Sequence, residues 1–211
     1  FRRRSPRYRG PFSTPIHKHR AEAMGSGAIR PCAEHENQAI MAIINEAAMA
    51  YKGVIPADRW HDPYMPSDEL EAEIAAGVRF TGYTIDGLLV GVMGIQSVRN
   101  VRLIRHAYVL SNYQGHGIGS ALINQLRGNG TSPILVGTWA AAAWAMGFYR
   151  RHGFALVPET VTAQLLKTYW DVPERQIATS VVLAAPALTV DSAQQLIAAA
   201  CHDPELPNDL R

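Results

Sequence analysis

The spacing of hydrophobic residues divides the chain into helices and strands of ordinary length. Apolar side chains such as Ile40 and Ile44 recur every three to four positions over residues 35–51, and this period predicts an amphipathic helix. A second helix is expected from residues 67–69, Ser-Asp-Glu, which offer a capping serine and two acids in a first turn. Between these helices, residues 54–66 carry three prolines among aromatic side chains and predict a loop.

The middle of the chain is rich in strand patterns. Residues 78–85 and 88–97 flank Asp86-Gly87, a dipeptide typical of a two-residue hairpin turn. The pair Arg99-Asn100 indicates another tight connection into a strand over residues 101–110. Three consecutive antiparallel strands are therefore expected.

The second half of the chain consists of shorter elements. In chain order they are a glycine-rich turn (114–119), a helix (120–127), a short buried strand (134–136) and a helix (140–151). A strand (154–157), a loop with weak helical character (158–175), a last strand (176–183) and an appended helix (192–201) follow. With a short strand at residues 29–31, the order is β-α-α-β-β-β-α-β-α-β-β. This irregular order predicts an α/β (α+β) fold with a mixed, mostly antiparallel central sheet flanked by helices, not a doubly wound parallel sheet.

Composition fits a folded domain, and charge is divided unevenly along the chain. The 211 residues are 47% hydrophobic and 18% charged, which suffices to bury the core of one domain. Residues 1–21 carry seven bases and no acid, whereas the rest carries 13 bases against 18 acids. We expect residues 1–26 to be a basic, disordered extension, residues 27–185 a domain, and residues 186–211 an appended helix and tail.

The acidic composition of residues 22–211 (the acidic body) argues against one class of protein, and the lack of membrane, secretion and cysteine signals argues against others. A nucleic-acid-binding face needs clustered positive charge, which this body lacks. No apolar run approaches the ~20 residues that span a bilayer, and no apolar segment of a secretory signal follows the early arginines. Cys32 and Cys201 are too few for a disulfide framework or a metal site. A cytoplasmic protein without nucleic-acid, membrane or metal partners is expected.

The turn after the third antiparallel strand is the first segment with chemical meaning. Residues 114–120 read Gln-Gly-His-Gly-Ile-Gly-Ser. Glycines let the backbone turn sharply and bring bare amides toward a ligand at a helix N-terminus, a natural pyrophosphate site. One alternative is a dinucleotide-binding turn, which the three preceding antiparallel strands and the lack of an acid near residue 140 disfavour. The other alternative is a glycine-rich turn that binds nothing.

Two motifs together resemble the GCN5-related N-acetyltransferases (the GNAT family), which transfer acetyl from acetyl-coenzyme A to an amine. Residues 114–119 match the family's pyrophosphate loop, Gln/Arg-x-x-Gly-x-Gly/Ala. Residues 148–154, Phe-Tyr-Arg-Arg-His-Gly-Phe, match the Phe-Tyr-x-x-x-Gly-Phe end of the family's last core helix. The resemblance covers about residues 27–185. It implies acetyl-coenzyme A as co-substrate, without a metal, and a small-molecule amine as acceptor; family members are often homodimers.

The resemblance also implies roles for single residues. The coenzyme would contact the strand end and the loop, through Val109, Leu110, Gln114, Gly115, His116, Gly117, Ile118, Gly119 and Ser120. The main chain of Val109 and Leu110 would pair with the pantetheine arm, and an amide near Val109 would polarise the thioester carbonyl. Tyr149 matches the family tyrosine that acts as general acid toward the departing thiolate; its alternative is simple packing beside Phe148.

Several residues are candidates to take the proton from the amine. At neutral pH the deprotonation of an alkyl ammonium, of pKa about 10.4, costs about 4.6 kcal/mol. The family often uses Glu or His on the strand corresponding to residues 101–110, at positions that fall nearest Leu103 and Arg105. Strict alternation places His106 on the opposite face unless a bulge shifts the register. Histidine titrates near neutrality, so His106 is the preferred candidate, with a structural histidine as alternative. His61, in the aromatic loop before the second helix, is the second candidate.

Aromatic side chains mark the expected acceptor site, between the first two helices and the strand ends. Tyr51, Trp60, Tyr64 and Trp139 are expected to line it, with ordinary core packing as the alternative. Such a pocket suits an aromatic or aliphatic amine, or a cation held against π faces.

The leading interpretation is an N-acetyltransferase that acts on a small or amino-acid-like amine by direct attack in a ternary complex. The alternative is a non-catalytic acyl-coenzyme A-binding domain of the same fold, a sensor or scaffold. Gly137 stands where some members have a catalytic glutamate, and Ala142 where the family has an asparagine. Both departures favour that alternative, whereas Tyr149 weighs against it.

Overall fold

Seven strands form one sheet in the computed structural model, which describes residues 26–128 and 130–201. They are β1 Gly27–Pro31, β2 Arg79–Ile85, β3 Leu88–Val98, β4 Val101–Val109, β5 Ile134–Trp139, β6 Ala155–Leu156 and β7 Ser180–Ala185. Their order across the sheet is β1-β2-β3-β4-β5-β7-β6, and every neighbouring pair is antiparallel except β4 and β5. The predicted mixed, mostly antiparallel sheet is confirmed. The basic extension, except Ser26, lies outside the described residues.

Helices cover both faces of the sheet. They are α1 Asn37–Ala48, α2 Ser67–Ala75, α3 Ile118–Arg127, α4 Ala143–Arg151, α5 Glu159–Tyr169, α6 Glu174–Ile177 and α7 Val190–Cys201. Helices α3 and α4 pack against one face, on a cluster that includes Ile104 and Val136. Helices α5 and α7 pack on the other face, against Leu103 and Leu135. The apolar sides of α1 and α2 cover that same face farther along, where Val92 belongs to their cluster.

The prediction of a loop over residues 158–175 is wrong. Helix α5 occupies most of that segment and buries Val161, Leu165 and Leu166 against the sheet. Pro158 precedes its first turn, where a proline is tolerated because the first N–H groups of a helix have no intrahelical partner. Helix α6 then takes the start of the segment predicted as the last strand, so that β7 begins only at Ser180.

Several boundaries also differ from the predictions. Helix α3 begins at Ile118, two residues early, because Gly117 at φ +81 turns the chain directly into the helix. Strand β5 runs on to Trp139, and α4 begins only at Ala143. The expected capping role of Ser67 is wrong, since Ser67 is the first helical residue and its hydroxyl contacts Glu71 at 3.1 Å.

The C-terminal helix α7 shares its apolar core with α5. Ala193, Ile197 and Ala200 are buried there. The hydroxyl of Tyr169 also reaches the carbonyl of Leu196 at 3.0 Å. Among the described residues, no helix is both long and apolar enough to cross a membrane.

Arg30 and Glu36 join the end of β1 to the entry into α1. Two guanidinium nitrogens of Arg30 donate to the carboxylate of Glu36 at 2.6 and 2.7 Å, and the N–H of Ala33 donates to it at 2.8 Å. These hydrogen bonds, those from Arg30 foremost, lower the pKa of Glu36 from 4.5 to about 2. The Glu36 carboxylate therefore links the end of β1 to the start of α1, and acid should break this link by protonating the carboxylate.

We expect Glu36→Gln to reduce the free energy of unfolding at neutral pH by about 1 kcal/mol, a value that allows for solvent screening of this pair. A lowered pKa contributes stability above the ordinary carboxyl pKa and loses it as the pH falls, so the difference from the parent should vanish near pH 2. Urea unfolding across this pH range measures it. Glu34→Gln, at an exposed acid of the same turn, is the control. A stability difference between Glu36→Gln and the parent that did not depend on pH would contradict this role of the Glu36 carboxylate.

Candidate active site

Strands β4 and β5 separate soon after they pair. Their parallel pairing joins Arg102 to Ile134 and Leu103 to Leu135, and the described residues beyond form no further pairs between these strands. Because β4 continues to Val109 and β5 to Trp139, a wedge-shaped opening lies between the ends of the two strands. An extended ligand has room there to run alongside the backbone of β4.

Val109 turns its main-chain polar groups toward this opening. The N–H of Leu110 donates to the carbonyl of Val90 at 3.0 Å, and Gly91 lies opposite Val109. Bonded and non-bonded pairs alternate along an antiparallel ladder, so Val109 belongs to a pair without hydrogen bonds to β3. Its carbonyl accepts a hydrogen bond from the side-chain amide of Gln114 at 2.9 Å, which holds the loop against the strand end. Its N–H points into the opening.

The loop after β4 leads into an uncapped helix N-terminus. Gly115 and Gly117 have φ of +78 and +81, a region that strongly favours glycine, and a Cβ on either would meet only open space. The N–H of Ala121 donates to the carbonyl of Gly117 at 2.9 Å. The preceding amides of α3, from Ile118 to Ser120, have no intrahelical partner, and Gly117 has no side chain to cap them. Together they form a site suited to an anion.

Gly119 brings the two sequence motifs into contact. A Cβ on Gly119 would lie 3.1 Å from Cε2 of Phe148, so glycine is what allows α4 to pack this closely on α3. The ring of Phe148 meets the ring of Tyr149 edge-on, with centroids 5.2 Å apart. The loop motif and the aromatic motif are therefore one structural unit beside the opening.

Tyr149 is a buried residue of α4. Its ring packs between Phe148 and Phe154, and 6% of the residue is exposed. Burial, and to a lesser extent the nearby Tyr51, raises the pKa of the Tyr149 phenol. The phenol therefore stays protonated over the physiological range and can donate a hydrogen bond. Its ring has the packing role considered as the alternative, and the acid role stays a prediction.

A cavity of about 400 Å³ lies on the α1 and α2 side of the sheet, beside the opening between β4 and β5. Tyr51, Tyr64 and Trp139 line it. Trp60 is not among the lining residues; it packs behind Tyr64, with ring centroids 5.4 Å apart. Burial raises the pKa of Tyr51 to about 12. The cavity wall is thus aromatic and uncharged along this side.

Several lining residues are missing from the sequence-based candidates. Glu69 and Glu73 project from α2 into the cavity wall. Their spacing of four is a signal available in the sequence, because such residues share one face of a helix. Farther along the chain, α5 and the segment after it contribute Leu166, Trp170, Asp171, Val172, Pro173 and Gln176. The sequence does not assign these residues to the site, because it predicts a loop where α5 lies and so does not reveal which of its sides faces the cavity.

A bulge in β4 brings His106 to the cavity. The register shifts between Val92 and Gly94 of β3, so that His106 and Ala107 together face Met93. His106 has φ +49, a left-handed conformation that costs a non-glycine residue about 1–3 kcal/mol and persists only where the surroundings hold it. The strict alternation expected along this strand is therefore wrong here. His106 lines the cavity, and its role as base stays a prediction.

Glu73 of α2 faces His106 and Arg105. One carboxylate oxygen lies 3.5 Å from Nε2 of His106, and the other pairs with the guanidinium of Arg105, which also donates to Gln96 at 2.9 Å. The imidazole stacks against Phe80, with ring centroids 6.0 Å apart. Burial favours the neutral acid, but the contact with His106 and the charge of Arg105 outweigh it, so the pKa of Glu73 lies below its ordinary value. Glu73 is an anion at neutral pH.

Parallel strands that separate beside a glycine-rich helix N-terminus, with a cavity at their ends, define a mixed α/β domain with room for an extended anionic ligand. A family model described as acetyltransferase (GNAT) domain matches residues 35–167. The match spans more than half of the chain, and the chain therefore belongs to the GNAT acetyltransferase family. The resemblance inferred from the two motifs is confirmed.

Solved structures share this fold. The PaiA N-acetyltransferase from Thermoplasma acidophilum, in complex with coenzyme A, has a TM-score of 0.57 and 16% identity, over 75% of this chain and 98% of its own. A GNAT family acetyltransferase from Streptococcus agalactiae has a TM-score of 0.58 and 12% identity, over 76% and 95%. The ribosomal-protein-S18-alanine N-acetyltransferase from Escherichia coli has 0.52 and 16%, over 75% and 92%. The comparison with curated proteins gave no match.

Proposed function

We propose that this protein is an acetyl-coenzyme A-dependent N-acetyltransferase that acts on the amine of a small or amino-acid-like molecule. One observation carries the proposal. The opening between β4 and β5 presents free main-chain groups and an uncapped helix N-terminus for a coenzyme, and the cavity beside it holds His106. Membership of the GNAT family supports acetyl transfer. The coenzyme A bound to the Thermoplasma acidophilum relative, at 16% identity, is consistent with the same ligand here.

The coenzyme is proposed to bind along the edge of β4. The amides of Ile118, Gly119 and Ser120 bind the pyrophosphate, while the exposed His116 lies beside it. The pantetheine arm runs toward the cavity along the β4 backbone, as an added strand would. The inward N–H of Val109 donates to the thioester carbonyl and stabilises the negative charge that develops there.

Acetyl transfer is proposed to occur in a ternary complex. The acceptor ammonium loses a proton to His106, and the freed electron pair of its nitrogen attacks the thioester carbonyl. The tetrahedral intermediate then collapses, the carbon–sulfur bond breaks, and the thiolate leaves. Tyr149 donates a hydrogen bond to that thiolate, which lowers the free energy of the departing group without full proton transfer.

The charges in the cavity wall favour an acceptor that carries few charges of its own. Both signs of charge are present there, with Glu69, Glu73 and Asp171 as acids and Arg59 and Arg105 as bases. Among the described residues no carboxylate forms an ion pair with Arg59, whose Nε donates only to the carbonyl of Asp58 at 3.0 Å. A free guanidinium suits a carboxylate, so an amino acid or a related amine fits this wall better than a polycation. A cytoplasmic location and a homodimer stay predictions.

The proposed function is tested by titration with acetyl-coenzyme A followed by thiol release across an amine panel. The panel contains amino acids, arylamines, polyamines, aminoglycosides and peptide N-termini. Saturable coenzyme binding with thiol release for one class supports the enzyme and names its acceptor. Saturable binding without release for any amine would instead support the sensor or scaffold, which the replacements at Gly137 and Ala142 favour.

We expect Gly117→Ala to weaken acetyl-coenzyme A binding about tenfold, because alanine is strained at φ +81 and its methyl group extends toward the pyrophosphate. Gly87→Ala is the matched control, since Gly87 lies in the turn between β2 and β3 with φ +83, and a Cβ there would also meet only open space. Both variants should lose a similar amount of stability, but only the first should lose affinity. Calorimetric titration measures the affinity of each variant, and urea unfolding measures its stability. Equal affinities in the two variants would contradict this placement of the pyrophosphate.

A further inference from the structure

Glu73 has two neighbours, His106 and Arg105. The oxygen that faces His106 and Nε2 of His106 are both buried and lie 3.5 Å apart, and neither atom has a hydrogen-bond partner among the described residues. The other oxygen pairs with Arg105. Because one oxygen pairs with Arg105, the other is buried against His106 and the pKa is low, the carboxylate is poorly suited to take a proton from an acceptor itself.

The other ring nitrogen of His106 has a different environment. Within residues 26–128 and 130–201, Nδ1 is neither hydrogen-bonded nor among the buried polar atoms without partners, while His106 lines the cavity. Phe80 stacks on the ring and restricts its rotation. A carboxylate that faces one nitrogen of an imidazole favours the proton on that nitrogen and leaves the lone pair on the other.

We propose that Glu73 is a positioning residue that keeps the proton of neutral His106 on Nε2, so that Nδ1 accepts the proton of the acceptor ammonium. This inference rests on the proposed function. In the step, the N–H bond of the ammonium breaks, its proton bonds to Nδ1, and the electron pair left on the amine nitrogen attacks the thioester carbonyl. Glu73 remains an anion and stabilises the imidazolium until the proton passes to solvent.

The bulge in β4 supports a functional reason for this arrangement. With regular alternation His106 would point to the α3 face, away from Glu73. The left-handed backbone at His106 instead places its ring against Glu73 of α2 and on the cavity wall, at a conformational cost. Strained backbone of this kind is concentrated at functional sites.

Other charged and titratable groups surround the pair and contribute to its pH dependence. Helix α2 contributes Glu69, and β4 contributes Arg105 and Tyr108. The remaining groups also lie on the cavity wall. The segment between α1 and α2 contributes Tyr51, Arg59, His61 and Tyr64, and Asp171 follows α5. Substituting Glu73 alone leaves all of them in place.

A double-mutant cycle tests the proposal with Glu73→Gln, His106→Gly and the double variant, in thiol-release assays on the full chain. Glu73→Gln should lower kcat roughly tenfold to a hundredfold and leave acetyl-coenzyme A affinity unchanged. It should also move the acidic limb of the kcat/KM profile to lower pH, because a histidine without a neighbouring anion loses its proton more easily. In the His106→Gly background the same substitution should have no further effect, since Glu73 acts through His106.

Glu71→Gln is the matched control, because Glu71 is an exposed acid of the same helix outside the cavity wall. It should leave kcat and the pH profile unchanged. Additive losses in the cycle, or a folded Glu73→Gln protein with parental kcat, would overturn this inference alone. A parent that binds acetyl-coenzyme A but acetylates no amine would overturn the proposed function as well.

A second measurement needs only the parent protein. The nitrogen-15 shifts of His106, assigned by comparison with His106→Gly, report which ring nitrogen carries the proton in the neutral form. A protonated Nε2 with an unprotonated Nδ1 supports the proposal. The opposite tautomer would overturn it, whether or not any Glu73 variant folds.

Discussion

His106→Gly should lower kcat/KM by a factor of about 10² to 10⁴, the range that a general base contributes. The substitution suits this position because glycine adopts φ +49 without strain, and relief of strain offsets the lost packing against Phe80. We expect stability to stay within about 1 kcal/mol of the parent. Steady-state thiol release measures the first quantity and urea unfolding the second. Added imidazole should restore part of the activity by filling the space that the side chain leaves.

The matched control for this variant is Asp86→Gly. Asp86 has the same φ of +49 but is an exposed residue of the turn between β2 and β3, outside the cavity wall. It should keep parental activity while showing a similar effect of glycine on the backbone. If His106→Gly kept parental turnover in a folded protein, His106 would be a structural histidine, the alternative considered from the sequence.

Tyr149→Phe is expected to lower kcat by about tenfold to a hundredfold, because a hydrogen bond to a charged group contributes about 1.5–3 kcal/mol. The affinity for acetyl-coenzyme A should change less than about twofold, since the lost hydroxyl acts on the thiolate and not on the bound thioester. The pKa of this phenol is raised by burial, so the parent should keep the donor through mildly alkaline pH. Single-turnover kinetics and equilibrium titration measure the two effects separately.

Tyr169→Phe is the control for Tyr149→Phe. Tyr169 is a buried tyrosine outside the cavity wall whose hydroxyl lies 2.8 Å from Oδ1 of Asn100 and 3.0 Å from the carbonyl of Leu196. Its loss should reduce stability by about 1 kcal/mol and leave kcat unchanged. An unchanged turnover in Tyr149→Phe would leave this tyrosine with packing against Phe148 and Phe154 as its only role.

The first half of the fold was readable from the sequence because its signals are local. The apolar period of α1 and the Asp86-Gly87 hairpin depend on neighbours in the chain, and both are observed where they were predicted. Helix α5 was missed because prolines and aromatic residues at its ends masked an apolar stripe at Val161 and Leu165. That stripe becomes decisive only when the face of β5 is present to cover it.

The candidate site divides along the same boundary between local and long-range information. The left-handed backbone at Gly115 and Gly117 can be predicted from residue type alone. The bulge at His106 cannot be predicted in this way, because it depends on the register between β3 and β4, which no short stretch of the sequence determines. The meeting of Glu73 with His106 likewise joins a helix to a strand more than 30 residues later. Neither residue carries a local signal of that contact.

The most direct test of the central claim is mass spectrometry of an amine incubated with the protein and acetyl-coenzyme A, with free thiol measured in parallel. We predict that one class of small amine gains an acetyl group in equal amount to the thiol released, and that His106→Gly loses both together. Saturable binding of acetyl-coenzyme A with no acetylated product from any amine of the panel would contradict the account. The chain would then be a coenzyme-binding member of the family without transferase activity.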